Sequence, residues 1–161
     1  MADTNTNTSA NASTNQDPIS KVEMLIRKPV KDVFEAFVNP EITTKFWFTR
    51  SSGKLAPGEH VQWDWEMYGA SAVIKVHEIE ENKRILIDFG YKVEWVFTAQ
   101  SDNETFVTIT SSEFTGDGIV KQAIDATEGF TIVLCGLKAY LEHGIQLNLV
   151  SDKAPYAHVK V

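Results

Sequence analysis

Hydrophobic and polar residues alternate with a period of two along most of this chain, and the period lengthens to that of a helix near its end. Lys21 to Arg27 sets Val22, Met24 and Ile26 against charged or exposed neighbours, which predicts a first strand. His60 to Tyr68 repeats the pattern, with Val61, Trp63, Trp65 and Met67 against Gln62, Asp64, Glu66 and Tyr68. Ala70 to Ile79, Arg84 to Phe89, Val93 to Gln100 and Thr105 to Phe114 bring the series to six strands. Turn signals at Tyr68-Gly69, Glu81-Asn82, Gly90 and Asp102-Asn103 separate them, and such short connections join antiparallel neighbours. After the first strand, Pro29 opens a helix over about Val30 to Val38, with Val30, Val33, Phe34 and Phe37 on one side. Asn39-Pro40 ends it, and Pro40 can open a second short helix running through Trp47.

The period changes within Gly118 to Leu147. Ala123, Ala126, Phe130, Val133, Leu137 and Tyr140 recur at intervals of three and four, the mark of one apolar helix face. Asp117 is the expected N-cap and Gly144 the expected stop. About twenty-five helical residues would span roughly 37 Å, enough to cross a small domain. Lys121, Asp125, Glu128, Lys138 and Glu142 interrupt the apolar run, so insertion into a membrane is not expected. The order is β-α-α-β-β-β-β-β-α. It predicts an α+β fold in which a curved six-stranded antiparallel sheet wraps a long C-terminal helix.

Composition changes this picture at one end. Met1 to Asp17 is almost entirely Ala, Asn, Thr, Ser, Asp and Gln, too polar to offset the entropy of ordering. A disordered tail over 1–17 is therefore expected, then a folded domain over 18–147 and a C-terminal tail over 148–161 with no assigned role. The net charge of −7, with no basic cluster longer than Arg27-Lys28, argues against nucleic acid and anionic membrane partners. The single Cys135 excludes an internal disulfide and suits a reducing cytoplasm.

Catalytic signatures are sparse. Gly53 to Gly58 is followed by Glu59-His60 rather than Lys-Ser/Thr, so it is not a phosphate loop. His60, His77, His143 and His158 lie far apart without metal-ligand spacing, and neither a metal nor a cofactor is expected. Asp64 and Glu66 share a strand face, but opposite Trp63 and Trp65 they should face water. No catalytic residue is assigned.

Several local stretches resemble the helix-grip fold of the START-related SRPBCC superfamily, which includes the birch-pollen allergen. They are Lys28-Pro29-Val30-Lys31-Asp32-Val33-Phe34-Glu35-Ala36-Phe37, Asn39-Pro40-Glu41, Lys45-Phe46-Trp47-Phe48, the Gly53-Lys54-Leu55-Ala56-Pro57-Gly58 turn, Glu128-Gly129-Phe130, and Leu137-Lys138-Ala139-Tyr140-Leu141-Glu142-His143-Gly144. Within that superfamily the chain is most similar to the bacterial homologues of the activator of heat-shock protein 90 ATPase. The likeness covers nearly everything from Ile19 to Leu147, with Phe130 where the family often has Trp. It implies a helix gripped by a curved sheet, and a stress-response or chaperone-interaction role as one function.

Alternation aims Trp63, Trp65, Phe89, Trp95 and Phe97 at the long helix, where they would meet Phe130, Val133, Leu134 and Leu137. Trp47 and Phe48 would close one end. Ligand sites are mostly apolar with a few polar anchors. Thr110, Ser112, Tyr91 and the indole N–H groups of Trp63 and Trp95 are candidate anchors here. The leading expectation is a binding protein holding a hydrophobic small molecule between sheet and helix. A cyclase or aromatase of the same superfamily is the enzymatic alternative. The same rings could instead fill the core, and homodimerisation through a sheet or helix edge is left open.

Overall fold

The computed structural model describes residues 16–153; nearly all of the tail expected over 1–17, and residues 154–161, lie outside the described residues. The elements are β1 (Ser20–Ile26), α1 (Val30–Val38), α2 (Pro40–Thr43), β2 (Arg50–Ser51), β3 (His60–Trp65), β4 (Ala70–Glu80), β5 (Arg84–Asp88), β6 (Lys92–Ser101), β7 (Glu104–Ser112), α3 (Ile119–His143) and α4 (Leu149–Asp152). The strands form one antiparallel sheet in the order β1-β7-β6-β5-β4-β3-β2. The sheet curls around α3, the arrangement of a helix-grip fold. Its seventh strand is β2, whose two residues pair Arg50 with Asp64 and Ser51 with Trp63. Two residues carry no readable alternation, so the expected count of six was short by this strand.

The concave face is apolar by strict alternation. Val93, Trp95 and Phe97 on β6 lie beside Val107 and Ile109 on β7, and Ile85 and Ile87 on β5 beside Val76 on β4. Register shifts between Val76 and Glu78, and between Ala99 and Ser101, interrupt the ladders; such bulges bend the strands that carry them. Helix α1 covers one part of this face. Its Phe37 ring lies 5.1 Å from Trp95 and 5.6 Å from Phe97, while Phe34 meets Phe97 edge-on at 5.5 Å.

Helix α3 runs as expected, but its start differs. Gly118, with φ 72°, precedes the first helical residue, and no side chain caps the end. Asp117 instead offers its backbone carbonyl to the Gln122 amide, which also donates to the Thr115 carbonyl. At the other end Gly144 adopts φ 67°, and its N–H reaches the Tyr140 carbonyl at 2.8 Å. The left-handed residue lets the chain leave the helix while satisfying a terminal carbonyl.

The second short helix is briefer than expected. It ends at Thr43, and a series of turns carries the chain through Trp47. Thr43 is buried and donates to the carbonyls of Ala36 and Asn39, which pins this corner to α1. Gly136 on α3 then matters. A Cβ there would lie 3.2 Å from the Phe46 carbonyl oxygen and 3.3 Å from Phe46 Cβ. The glycine lets the Phe46–Trp47 backbone lie directly on the helix.

Candidate functional site

Beyond the reach of α1, the sheet and α3 part and leave a cavity of about 480 Å³. Its helix side is built from Gln122, Ala126, Gly129 and Val133, with Asp125 and Ile132 alongside. These positions recur at three and four, so one stripe of α3 faces the space. The residues of that stripe nearest the middle are small. A Cβ added to Gly129 would meet nothing within 4 Å, so this helix turn borders open volume rather than a packed neighbour.

An arc of aromatic rings runs from the helix across to the sheet. Phe130 on α3 meets Trp47 at 5.7 Å, Trp47 meets Trp65 at 6.5 Å, Trp65 meets Phe89 at 6.0 Å, and Phe89 meets Tyr91 at 5.7 Å. Trp65 reaches the cavity because β3 ends there. Glu66–Tyr68 forms a 3-10 turn and Gly69 takes φ 61°, so the strand pattern expected through Tyr68 stops at Trp65. Tyr68 then lies at the rim, where its hydroxyl donates to the Val150 carbonyl. Val150 and Lys153 line the cavity from α4 and the residue after it. The stretch read as a tail without a role thus contributes part of the wall, and Lys153 ties it to Glu128 at 3.2 Å.

Of the residues expected to line a pocket, Trp47, Trp65, Phe89, Phe130 and Val133 do so. Trp63, Trp95, Phe97, Leu134 and Leu137 are buried in the core behind them. Trp63 stacks between Phe48 at 4.7 Å and Trp95 at 6.3 Å, which leaves both tryptophans inside an aromatic cluster. Thr110 is a correction. Val107, Ile109 and Ser111 point inward on β7, so Thr110 emerges on the convex face opposite Lys21 and Glu94. Ser112 shares that outward phase. The indole N–H of Trp95 and the Ser111 hydroxyl are buried with no hydrogen-bond partner among the described residues, and neither lines the cavity.

The polar groups at the cavity are few. Gln122 spends its amide N–H groups on backbone carbonyls, and Asp125 pairs with Lys121 at 2.9 Å. The Tyr91 hydroxyl makes no hydrogen bond among the described residues. Burial first, and the charge of Asp125 second, push its pKa up to about 12. Tyr91 is therefore a neutral donor at ordinary pH. Sequence reasoning named Tyr91 but missed Asp125, Ala126 and Gly129. Their spacing along the helix was readable, but their facing an empty volume was not.

Asp64 was expected to face water and is instead buried at the sheet edge. Hydrogen bonds from Ser71 at 2.6 Å, Gln62 at 2.8 Å and Arg50 Nε at 2.9 Å hold its carboxyl at about 2. With its acceptor positions engaged, this carboxylate fastens β2, β3 and β4 together. Glu66 is exposed nearby. His60, His77 and His143 are exposed, and His158 lies outside the described residues. Among the described residues no group of three or more His, Cys, Asp or Glu side chains could hold a metal ion. No described helix is long and apolar enough to cross a membrane.

Comparison with known proteins gives a consistent result. Residues 27–142 match the family model described as Activator of Hsp90 ATPase homolog 1-like protein. The crystal structure of protein SSP2350 from Staphylococcus saprophyticus is similar over 81% of this chain and 96% of its own, at 33% identity and a TM-score of 0.73. An Aha1 protein from Colwellia psychrerythraea, solved as a dimer in solution, has 18% identity and a TM-score of 0.69 over 79% of this chain and 98% of its own. Protein MLL2253 from Mesorhizobium loti has 18% identity and a TM-score of 0.68 over 80% and 99%. No curated protein sequence matches the chain. The matched span, from the residue after β1 to the last turn of α3, includes strands β2 to β7, the gripped helix and the aromatic arc between them, and the chain belongs to the Activator of Hsp90 ATPase homolog 1-like family of the SRPBCC superfamily.

Proposed function

We propose that the protein binds a small apolar or aromatic molecule in the cavity between sheet and α3. The observation that carries this reading is the meeting of five aromatic rings with a helix stripe opened by Ala126 and Gly129 around about 480 Å³. That volume lies within the range of small-molecule sites, and the lining has their usual character of apolar walls with isolated polar groups. Rings that merely completed a core would be met by bulky partners, as Trp95 and Phe97 are by Phe37. A thermal-shift and native mass-spectrometry screen across lipids, flavonoids and polyketide-like compounds tests the reading. A true ligand at a hundredfold excess over its Kd should stabilise the fold by about 2.7 kcal/mol. The stabilisation should vanish in Gly129→Phe, whose ring would occupy the space. Stabilisation that persists in that variant, or no ligand from the screen, would count against the reading.

A cyclase-type enzyme is the second reading, motivated by the ionisable Tyr91 and Asp125 at the same cavity. It requires turnover of a reactive poly-keto chain, with Tyr91→Phe lowering the rate more than the affinity. Chaperone regulation is motivated by the family's description. A pull-down with the cognate heat-shock protein 90 and an ATPase assay would decide it, with no stimulation removing it.

A further inference from the structure

We propose, resting on the cavity reading above, that the ligand is an organic cation: an ammonium group carried on an apolar or aromatic body. The arc of rings begins at Phe130 on α3 and ends at Tyr91 beside Asp125, which is again on α3. It therefore closes on the helix it started from. Successive rings are inclined by 71°, 61°, 53° and 77°, so they wrap the space rather than stack along one wall. Aromatic faces carry negative charge density, and indole faces attract cations most strongly. Two of the five rings are tryptophans.

The formal charges at the lining are Asp125 and Lys153, each with an outer partner, Lys121 and Glu128. These pairs nearly cancel, which leaves the aromatic lining as the main electrostatic character of the space. Asp125 adds to it at the place where the arc closes, whereas Lys153 is engaged by Glu128 on α3. An anion would meet the aromatic lining and Asp125 together. The net charge of −7 further raises the local concentration of cations.

Benzyltrimethylammonium and its neutral isostere neopentylbenzene differ in charge but hardly in shape, and 4-phenylbutyrate supplies the anion. Titration of each by calorimetry and tryptophan fluorescence should rank cation, isostere, anion, with the cation about tenfold tighter than the isostere. Asp125→Asn should weaken the cation about threefold and leave the isostere unchanged, since Asp125 is largely exposed. Lys121→Met, which frees Asp125, should strengthen the cation alone. An isostere or anion that binds as tightly as the cation overturns the charge assignment while the cavity reading stands. Equal loss of cation and isostere in Asp125→Asn also overturns it. Failure of all three probes to bind the wild-type protein overturns both readings.

Discussion

The two ends of the interior are built from the same materials with opposite results. Beneath α1, the concave face of β6 and β7 is closed: Phe34 and Phe37 descend onto Phe97 and Trp95, and Leu137 seals the helix side. Toward the 3-10 turn after β3, an equally aromatic wall of Trp65, Phe89 and Tyr91 faces Ala126 and Gly129 across open space. Aromatic content therefore does not separate a core from a site. The partner residue does. Where a helix supplies large side chains the sheet is filled, and where it supplies small ones a volume remains.

Truncation should separate the two ends by the widest margin. Trp95→Ala in the closed end should cost about 3–5 kcal/mol, because a fully buried ring is lost into a cavity that cannot collapse. Phe89→Ala at the open end, where the ring is partly exposed, should cost no more than about 1–2 kcal/mol. Urea denaturation of both variants checks the difference, and equal losses would mean the open end is packed as tightly as the closed one.

The two helix glycines differ in the same way at smaller scale. Gly136→Ala forces a methyl group against the Phe46 backbone and should destabilise by about 1–3 kcal/mol. Gly129→Ala meets nothing and should stabilise by about 0.5–1 kcal/mol through helix propensity. Opposite signs in thermal melts are the expected outcome.

Smaller effects depend on pH. The folded pKa of Asp64 lies at about 2, below its unfolded value, so its contribution is whole above about pH 4 and lost as pH falls toward the folded value. The stability gap between wild type and Asp64→Asn should accordingly shrink between those limits in urea melts. Tyr91 runs the other way. Its folded pKa of about 12 lies above the unfolded value, so its contribution holds below about pH 10 and fades as pH rises toward 12. Absorbance titration of the phenols should show a late-ionising group that Tyr91→Phe removes.

Much of the fold was legible because burial imposes a period. Val93, Trp95 and Phe97 gave the inward phase of β6, and Ala123, Ala126, Phe130 and Leu137 gave the buried side of α3. The phase of β7 was equally readable: with Val107 and Ile109 inward, Thr110 had to face out, and assigning it to the pocket broke the rule. Other features depend on distant residues. Asp64 lies on the outward phase of β3 and is nevertheless buried, because Arg50, Gln62 and Ser71 close over it. Val150 joins the cavity wall through a hydrogen bond from Tyr68, a contact across the fold that no local pattern records. The cavity itself is a difference of volumes between facing elements. Gly129 in the sequence signals only a weak helix position; facing Trp65 and Phe89, it becomes open space.

We propose that the space bordered by Gly129 receives a ligand. Titration of 1-aminoanthracene, a neutral probe whose emission brightens in apolar cavities, into wild type and Gly129→Phe reads occupancy of that space. Saturable one-to-one binding to the wild type is expected, with at least about tenfold weaker binding to a variant that melts no lower, since filling a preformed site removes its contacts. Equal binding to both proteins would place the probe outside this cavity and leave the cavity without a ligand.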